Sequence, residues 1–310
     1  MPERCELTVT LGGASSLEAA SRRCVNYLQP HTFTTQVPGS GSSRKCDHDL
    51  QQPGRAGSGT AGQTLSLAAL TVRVGPHLWQ TQSWDGRVSQ AQQLVEAISR
   101  ELEPATDRLL RHPYVRALEA GEVPRERLRL FAGEQYAIIS SDLRSVAHLV
   151  SRFGGAPSRD LFLGVLQGER AAWDGLLSFA RALGLSEPDL QTHEPLPGAH
   201  AYTAYLAWLA LYGSAADVAA AFLVNFPAWG QSCGRLSRAL QARYGLREPD
   251  VAFFDLFATP VEGFEEQALA VIEDGLERGA DPRLVRRAAR LLQSYELLFW
   301  DTLQTATGAS

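Results

Sequence analysis

From Ser89 onward, apolar residues recur every three or four positions, and no other feature of the sequence constrains the fold as strongly. Leu94, Ile98 and Leu102 form the first such stripe, and this period is typical of amphipathic helices. Ser89 and Gln92 precede the stripe as a capping-box pair. No segment shows a convincing alternation of apolar and polar residues of the kind that strands display. We therefore predict an all-α fold in which the helices pack as a bundle.

Prolines, glycines and capping residues divide this region into about seven helices. Pro104 is expected to kink or divide the first helix, because a proline inside a helix removes one backbone hydrogen bond. Pro124 is expected to occupy the first turn of a long helix that ends near Phe153. Further helices are predicted over residues 158–183, around 202–213, and over 214–244, around 253–254, 262–276 and 282–306.

The first 87 residues differ from the rest of the chain in composition and in their lack of a regular apolar pattern. Runs such as GSGSS at 39–43 and PGRAGSG at 53–59 have no helical or strand period. Such segments bury too little apolar surface to offset the entropy of ordering the chain. We predict that residues 1–87 are a disordered or mis-annotated extension, that 88–306 form the helical domain, and that 307–310 are a tail.

Composition and charge argue against several classes of protein. The formal net charge is −5 and the sequence pI is about 5.8, whereas nucleic-acid binders usually carry a basic footprint. The four cysteines form neither a disulfide framework nor a zinc signature. No apolar run reaches the ~20 residues that span a bilayer, and no signal peptide is recognised. We therefore expect a cytoplasmic protein without nucleic-acid or membrane partners.

A carboxylate interrupts the apolar stripe of the last predicted helix. Glu296 falls on the same face as Val285, Ala289, Leu292 and Phe299. Because an unpaired buried carboxylate is energetically costly, Glu296 should be hydrogen-bonded, paired or protonated in that position. One interpretation is a carboxylate that faces a pocket between helices. The other is an exposed glutamate that lies beside the true stripe.

Two other helices carry polar side chains within apolar rows. Gln135 and Asp142 interrupt the row of the long second helix, and Asn225 aligns with Phe222 and Trp229 in the alanine-rich helix. Inward polar side chains of this kind build the sites of helical bundles. A structural hydrogen bond explains Gln135 equally well, and a tolerated position in a core helix explains Asn225, so both interpretations stay open.

The helical region is poor in nucleophiles and metal ligands. Lys45 is the single lysine of the chain and lies outside this region, so Schiff-base chemistry is not expected in the bundle. Cys233 has no histidine near it in sequence and is interpreted as a buried small residue. His148 is interpreted as a core histidine whose hydrogen bonds are satisfied. We expect no metal and no cofactor.

Four stretches of the sequence resemble the TenA / thiaminase II family, whose relatives include PqqC-like proteins. They are HPYV at 112–115, AYTAYL at 201–206, the alanine-rich helix at 219–236, and YELLFWD at 295–301. The last is the most specific, and all four occur in the order that the family shows. The resemblance implies a haem-oxygenase-like helical bundle, often a homo-oligomer, with a small-molecule pocket at its centre.

Thiaminase II enzymes hydrolyse thiamine or aminopyrimidines with a cysteine nucleophile, an aspartate, several tyrosines and a C-terminal glutamate. The resemblance assigns Glu296 to the glutamate and Tyr202 to one of the tyrosines. It places other side chains at the remaining positions: Gln135 for the aspartate, Asn225 for the cysteine, and Ile138, Trp229 and Phe257 for tyrosines. Because an amide cannot replace a thiolate as nucleophile, cysteine-dependent hydrolysis is not expected.

The function that the resemblance favours is a small-molecule protein of TenA type. Its pocket would surround Glu296, as the catalytic or anchoring group, and would take a small aromatic or heteroaromatic molecule, with a link to thiamine or aminopyrimidine metabolism. Whether the chain is an enzyme or a binder stays open. If catalytic, it would be a divergent thiaminase-like hydrolase or a cofactor-independent oxidase.

Two alternative functions also stay open. The first is a transcriptional regulator or interaction protein, since Arg283, Arg286, Arg287 and Arg290 form a basic patch, although a solvated helix face explains them too. The second is a di-iron oxidase with non-standard ligands. Metal-dependent relatives carry a His-x-x-x-Asp-x-x-His run, and the matching residues here, which cannot bind metal, are Phe257, Val261 and Phe264.

Overall fold

The computed structural model describes residues 88–308, which form ten α-helices and two 3-10 turns and contain no strand. The predicted all-α fold is therefore confirmed for this range, whereas the prediction for residues 1–87 falls outside the described residues. The count of about seven helices is too low, because the short helices Pro113–Ala120 and Glu187–Gln191 contain too few residues to show a clear apolar period. The helices are α1 (Gln90–Leu110), α2 (Pro113–Ala120), α3 (Leu128–Arg152), α4 (Ser158–Ala182), α5 (Glu187–Gln191), α6 (Pro197–Tyr212), α7 (Ala215–Tyr244), α8 (Ala252–Ala258), α9 (Phe264–Glu277) and α10 (Pro282–Thr307).

Local capping signals place most of these helix ends where the sequence predicts them. The side chains of Ser89 and Ser214 both form complete capping boxes, at the starts of α1 and α7. The Asp281 side chain accepts from the Arg283 backbone N–H at the start of α10. Gly245 ends α7 with φ of 66°, a left-handed conformation that favours glycine.

Three local predictions are wrong, each for a physical reason. Pro104 lies inside an undivided α1; it faces solvent, as does Arg100, so water can satisfy the Arg100 carbonyl that Pro104 leaves free. Pro124 precedes a 3-10 turn, and the long helix α3 begins only at Leu128. His148 is exposed rather than part of the core, because it lies on the solvent face of α3.

The bundle is organised around α7 and α10, which pack against each other along their length. Helix α10 also contacts α6 and α1, and α3 packs between α4 and α6. Helices α2 and α9 cover other faces of α7, and the short α8 lies between α7 and α4. This arrangement directs one face each of α3, α4, α6, α7, α8 and α10 toward a common interior.

Two apolar clusters fill that interior. One is aromatic and is centred on Phe131, whose ring lies 5.4 Å from Phe254 and 6.2 Å from Trp300 between centroids. The other is rich in alanine, and it allows α7 and α9 to approach closely. Tyr202 packs against both clusters, so it marks the place where they meet.

Close backbone contact between α4 and α8 gives a prediction about stability. A Cβ atom added to Gly175 would lie 2.8 Å from the backbone nitrogen of Phe253 and 2.9 Å from its Cα. Because no side-chain rotation relieves a clash with backbone, we expect Gly175→Ala to lower the free energy of unfolding by about 1–3 kcal/mol. Gly164→Ala is the matched control on α4, since its Cβ would meet nothing within 4 Å, and it should add about 0.5–1 kcal/mol. Urea unfolding of both variants measures the difference; equal stabilities would contradict the packing.

Within residues 88–308, no helix is both long enough and apolar enough to cross a bilayer.

Candidate ligand site

A cavity of about 50 Å³ lies between the central helices. Space of this size holds one or two water molecules, so a larger ligand requires wall side chains to move. Trp229, Phe257 and Phe226 are wall residues that are only half-buried. The lining residues are Gln135, Ile138, Ile139 and Asp142 of α3, Glu169 of α4, Tyr202 of α6, Asn225, Phe226 and Trp229 of α7, Phe257 of α8, and Glu296 and Phe299 of α10.

Glu296 places a buried carboxyl group in the wall of this cavity, and two hydrogen bonds hold it there. Its side chain is 2% exposed. The Trp300 indole N–H, one turn further along α10, donates to Oε1 at 3.1 Å, and Asn225 Nδ2 donates to Oε2. Burial raises the pKa of Glu296 to about 7, while these two hydrogen bonds act in the opposite direction. The carboxyl group can therefore both give and take a proton near neutral pH.

The side-chain amide of Asn225 links α7 to α6 and α10, and all its hydrogen-bonding groups have partners. Its Nδ2 also donates to Gln293 Oε1 at 2.9 Å, and its Oδ1 accepts from the Tyr202 hydroxyl at 3.1 Å. Gln293 Nε2 in turn donates to Thr106 Oγ1 at 3.0 Å. Because both amide hydrogens and the amide oxygen of Asn225 have protein partners, this side chain orients Glu296 and Tyr202.

The α3 side of the cavity carries a second set of polar groups. Asp142 is 4% exposed, and its Oδ1 accepts a hydrogen bond from the buried Thr203 hydroxyl of α6. Burial raises the pKa of Asp142 to about 7. Gln135, two turns earlier on the same face, is also 4% exposed. Among the described residues its side-chain amide has no hydrogen-bond partner, so it is free to contact a molecule in the cavity.

Glu169 is a cavity residue that the sequence analysis missed. It is half-buried. Burial first, and the nearby Asp142 second, raise its pKa well above the ordinary glutamate value. A signal was present, because Glu169 follows Val165 by four positions and precedes Ala172 by three. It therefore interrupts the apolar stripe of α4 just as Glu296 interrupts that of α10.

The structure brings all the predicted site residues to this one cavity. Asp142, a candidate from the α3 row, joins them. Their roles in binding or catalysis stay predictions. The predicted residues are Gln135, Ile138, Tyr202, Asn225, Trp229, Phe257 and Glu296.

Aromatic rings form the wall beside Glu296. The Trp229 ring lies 5.8 Å from Phe257, 6.1 Å from Phe299 and 5.5 Å from Trp300 between centroids. Aromatic and apolar walls with a few fixed polar groups are typical of small-molecule sites. The cavity therefore combines flat apolar surfaces with carboxyl and amide groups.

Side chains proposed for other chemistries are poorly placed for them. Cys233 is fully buried, and burial followed by the charge of Glu296 raises the pKa of its thiol well above the usual value. Val261 is 73% exposed and Phe264 stacks on Phe226 at 5.4 Å. Within residues 88–308, no three His, Cys, Asp or Glu side chains are grouped closely enough to hold a metal ion.

The basic patch on α10 is largely engaged by neighbouring groups. Arg283 pairs with Asp281 at 2.7 Å, and Arg286 pairs with Glu101. The Arg287 guanidinium lies 6.0 Å above the Trp208 ring. The two ion pairs reduce the positive potential that the patch offers to a phosphate backbone.

Fold and site together define a helical bundle with an aromatic, carboxylate-containing pocket. The profile of the TENA/THI-4/PQQC family matches residues 99–305. The chain therefore belongs to this family, which confirms the resemblance in its sequence.

Individual relatives agree with this assignment. A 4-aminobenzoate synthase from Chlamydia muridarum (strain MoPn / Nigg) is 29% identical over 119 residues, which cover 37% of this chain and 50% of that protein. The chain thus matches about half the length of this curated relative. A TenA homologue from P. horikoshii OT3 superposes with a TM-score of 0.56 at 16% identity, over 68% of this chain and 97% of that one.

A haem-binding protein has the same fold. Heme oxygenase-1 from the cyanobacterium Synechocystis sp. PCC6803, solved with heme, superposes with a TM-score of 0.52 at 13% identity. The match covers 69% of this chain and 93% of that one. At this identity the likeness concerns the fold alone, and the predicted haem-oxygenase-like bundle is confirmed.

Proposed function

We propose that this chain binds, and acts on, a small amino-substituted aromatic or heteroaromatic molecule in the cavity around Glu296. The observation that carries the proposal is the buried Glu296 carboxyl, held by Asn225 and Trp300 beside an aromatic wall. A ring fits between aromatic side chains, and an amino group is a natural donor to a carboxylate. Thiamine and its aminopyrimidine fragments have this chemistry.

The protonation of Glu296 supports an acid or base role. A general acid or base works best when its pKa lies near the working pH, and burial raises the pKa of Glu296 to about 7. Asn225 and Trp300 fix the position of the carboxyl group through their hydrogen bonds, and Tyr202 holds Asn225 in turn by donating to its Oδ1. Glu296 would then transfer a proton to or from the amino group or the leaving group of the bound molecule.

We further propose that catalysis does not use a cysteine nucleophile. The cavity lining contains no thiol, and Asn225 lies at the position that the resemblance assigns to the family's cysteine. An amide with all its hydrogen-bonding groups engaged is not a nucleophile. Cys233 lies outside the lining, fully buried, and burial raises its pKa, which disfavours the thiolate. Water activated by Glu296 would replace the covalent step in a hydrolytic reaction.

The similarity to a 4-aminobenzoate synthase is consistent with the same class of ligand. That relative is named for 4-aminobenzoate, an aromatic ring that carries an amino group. The ligand proposed for this chain belongs to the same class of molecule.

Calorimetric titration with thiamine and 4-aminopyrimidine tests the proposal. We expect the wild type to bind at least one of these molecules, and Glu296→Gln to bind it at least tenfold more weakly, which is about 1.4 kcal/mol. Glu266→Gln, an exposed glutamate on α9, is the matched control and should bind like the wild type. If neither molecule binds the wild type, or if Glu296→Gln binds as tightly, the proposed function is wrong.

A further inference from the structure

Three carboxyl groups surround the cavity, and no basic side chain accompanies them. Asp142, Glu169 and Glu296 all belong to its lining, which contains no arginine, lysine or histidine. Glu134, the residue before Gln135, shows the usual arrangement for comparison, since its Oε1 meets His193 Nε2 at 2.9 Å. Because buried charge is costly without a partner of opposite sign, the three cavity groups lack a compensating charge.

The three groups divide into two sets by the helices that carry them and by their hydrogen-bond partners. Glu296 is held on the α10 side by Trp300 and Asn225. Asp142 of α3 and Glu169 of α4 both line the cavity, and after burial the charge of Asp142 contributes to the raised pKa of Glu169. We name Asp142 and Glu169 the acid pair. The Thr203 hydroxyl, which donates to Asp142 Oδ1, fixes one member of the pair.

An independent observation indicates that this side of the cavity receives a molecule. Gln135 is 4% exposed and lines the same cavity two turns before Asp142, yet its amide has no hydrogen-bond partner within residues 88–308. Buried amides in folded proteins nearly always have partners. A ligand beside the acid pair would supply both a donor and an acceptor to Gln135.

The geometry favours an organic cation over a metal ion. No three carboxylate, histidine or cysteine side chains in the described range come close enough to share one metal ion. An ammonium or amidinium group needs only hydrogen bonds to separated oxygens, and it gains further stabilisation from aromatic faces. Trp229 and Phe257 supply such faces in the same cavity.

We propose that the acid pair, Asp142 and Glu169, binds a protonated amine or amidinium group of the ligand, with Gln135 as an additional hydrogen-bonding partner. This inference rests on the proposed ligand site and specifies its substrate class: a small aromatic molecule that carries a positive charge apart from the group that contacts Glu296. The titratable groups that face this position are Asp142, Glu169, Tyr202 and Glu296, and each is neutral or negative.

A matched pair of ligands isolates the contribution of charge. Benzylamine and benzyl alcohol have nearly the same size and ring, but only benzylamine is a cation at pH 8. We expect full-length wild-type protein to bind benzylamine at least tenfold more tightly than benzyl alcohol in calorimetric titrations. The preference should fall below threefold in the double variant Asp142→Asn, Glu169→Gln, and it should be unchanged in the control Glu266→Gln.

The number of protons released on ligand binding provides a second measurement. Burial raises the pKa of both members of the acid pair, and a bound cation favours their ionised forms. Titration of benzylamine in two buffers of different ionisation enthalpy should therefore show proton release with the wild type at pH 6.5, and less release with the double variant. If the double variant does not fold, Glu169→Gln alone gives the same comparison, because this side chain is half-buried.

The outcomes separate this inference from the proposed function. Equal affinities for the two ligands, absence of benzylamine binding, or a preference that persists in the variants would overturn the acid pair as a cation site. Those results would leave the titrations with thiamine and 4-aminopyrimidine standing. Conversely, a benzylamine preference that depends on the acid pair would support the inference even if neither of those molecules binds.

Discussion

Trp300→Ala is expected to lower the free energy of unfolding by about 4 kcal/mol, because a large buried side chain would be replaced by a cavity. Trp300 is fully buried. Its ring lies 5.0 Å from Phe299, 5.5 Å from Trp229 and 5.9 Å from Tyr114 between centroids. The variant also removes the N–H that donates to Glu296 Oε1. Urea unfolding monitored by circular dichroism measures the loss.

Trp300→Phe separates packing from hydrogen bonding. Phenylalanine keeps most of the ring contacts but cannot donate to Glu296, so we expect a smaller loss of about 2 kcal/mol. Since the hydrogen bond from Trp300 lowers the pKa of Glu296, its removal should raise that pKa further. A Trp300→Ala protein as stable as the wild type would show that the ring does not form part of the core.

The protein is expected to become less stable as pH rises from about 4.5 to 7. Burial raises the pKa of Glu296 from 4.5 to about 7 in the folded state. Between these values the folded chain holds a proton at Glu296 that the unfolded chain has lost, so raising the pH favours unfolding. The stabilisation is complete below pH 4.5, and about 3 kcal/mol of it is lost by pH 7. Asp142, with a pKa raised to about 7, adds a loss of the same sign.

A comparison of variants isolates the contribution of Glu296 from those of other titrating groups. Glutamine does not ionise, so the stability of the wild type relative to Glu296→Gln should fall by about 3 kcal/mol between pH 4.5 and 7. Urea unfolding of both proteins at pH 4.5, 5.5, 6.5 and 7.5 measures this difference. A difference that does not change with pH would mean that Glu296 titrates normally and is open to solvent.

The candidate site was predicted from the apolar rows of α3 and α10 and from the alignment of Asn225 with its apolar neighbours on α7. Each of these patterns gives only part of the information. The stripe of α10 predicts Glu296, and the same reasoning on α4 would have found Glu169, which follows Val165 and precedes Ala172. A stripe shows which side of a helix faces inward, but it does not show whether that side meets a cavity or a packed core. Gln135 and Asp142 share one row of α3, yet only Asp142 has a side-chain partner, Thr203.

The sequence by itself determined the long helices, their caps and most of their ends, whereas the short α2 and α5 were not predicted. These features depend on contacts within one turn, such as Ser214 with Asp217 or Asp281 with Arg283, so neighbours in the sequence contain the information.

Only the tertiary structure decided which inward faces meet. Asn225 and Glu296 are 71 positions apart and share a hydrogen bond because α7 packs along α10. The crossing of α3, α4 and α6 likewise brings the acid pair to one cavity. The period of a helix sets the direction of its side chains, whereas the partner that each side chain reaches depends on packing between helices distant in sequence.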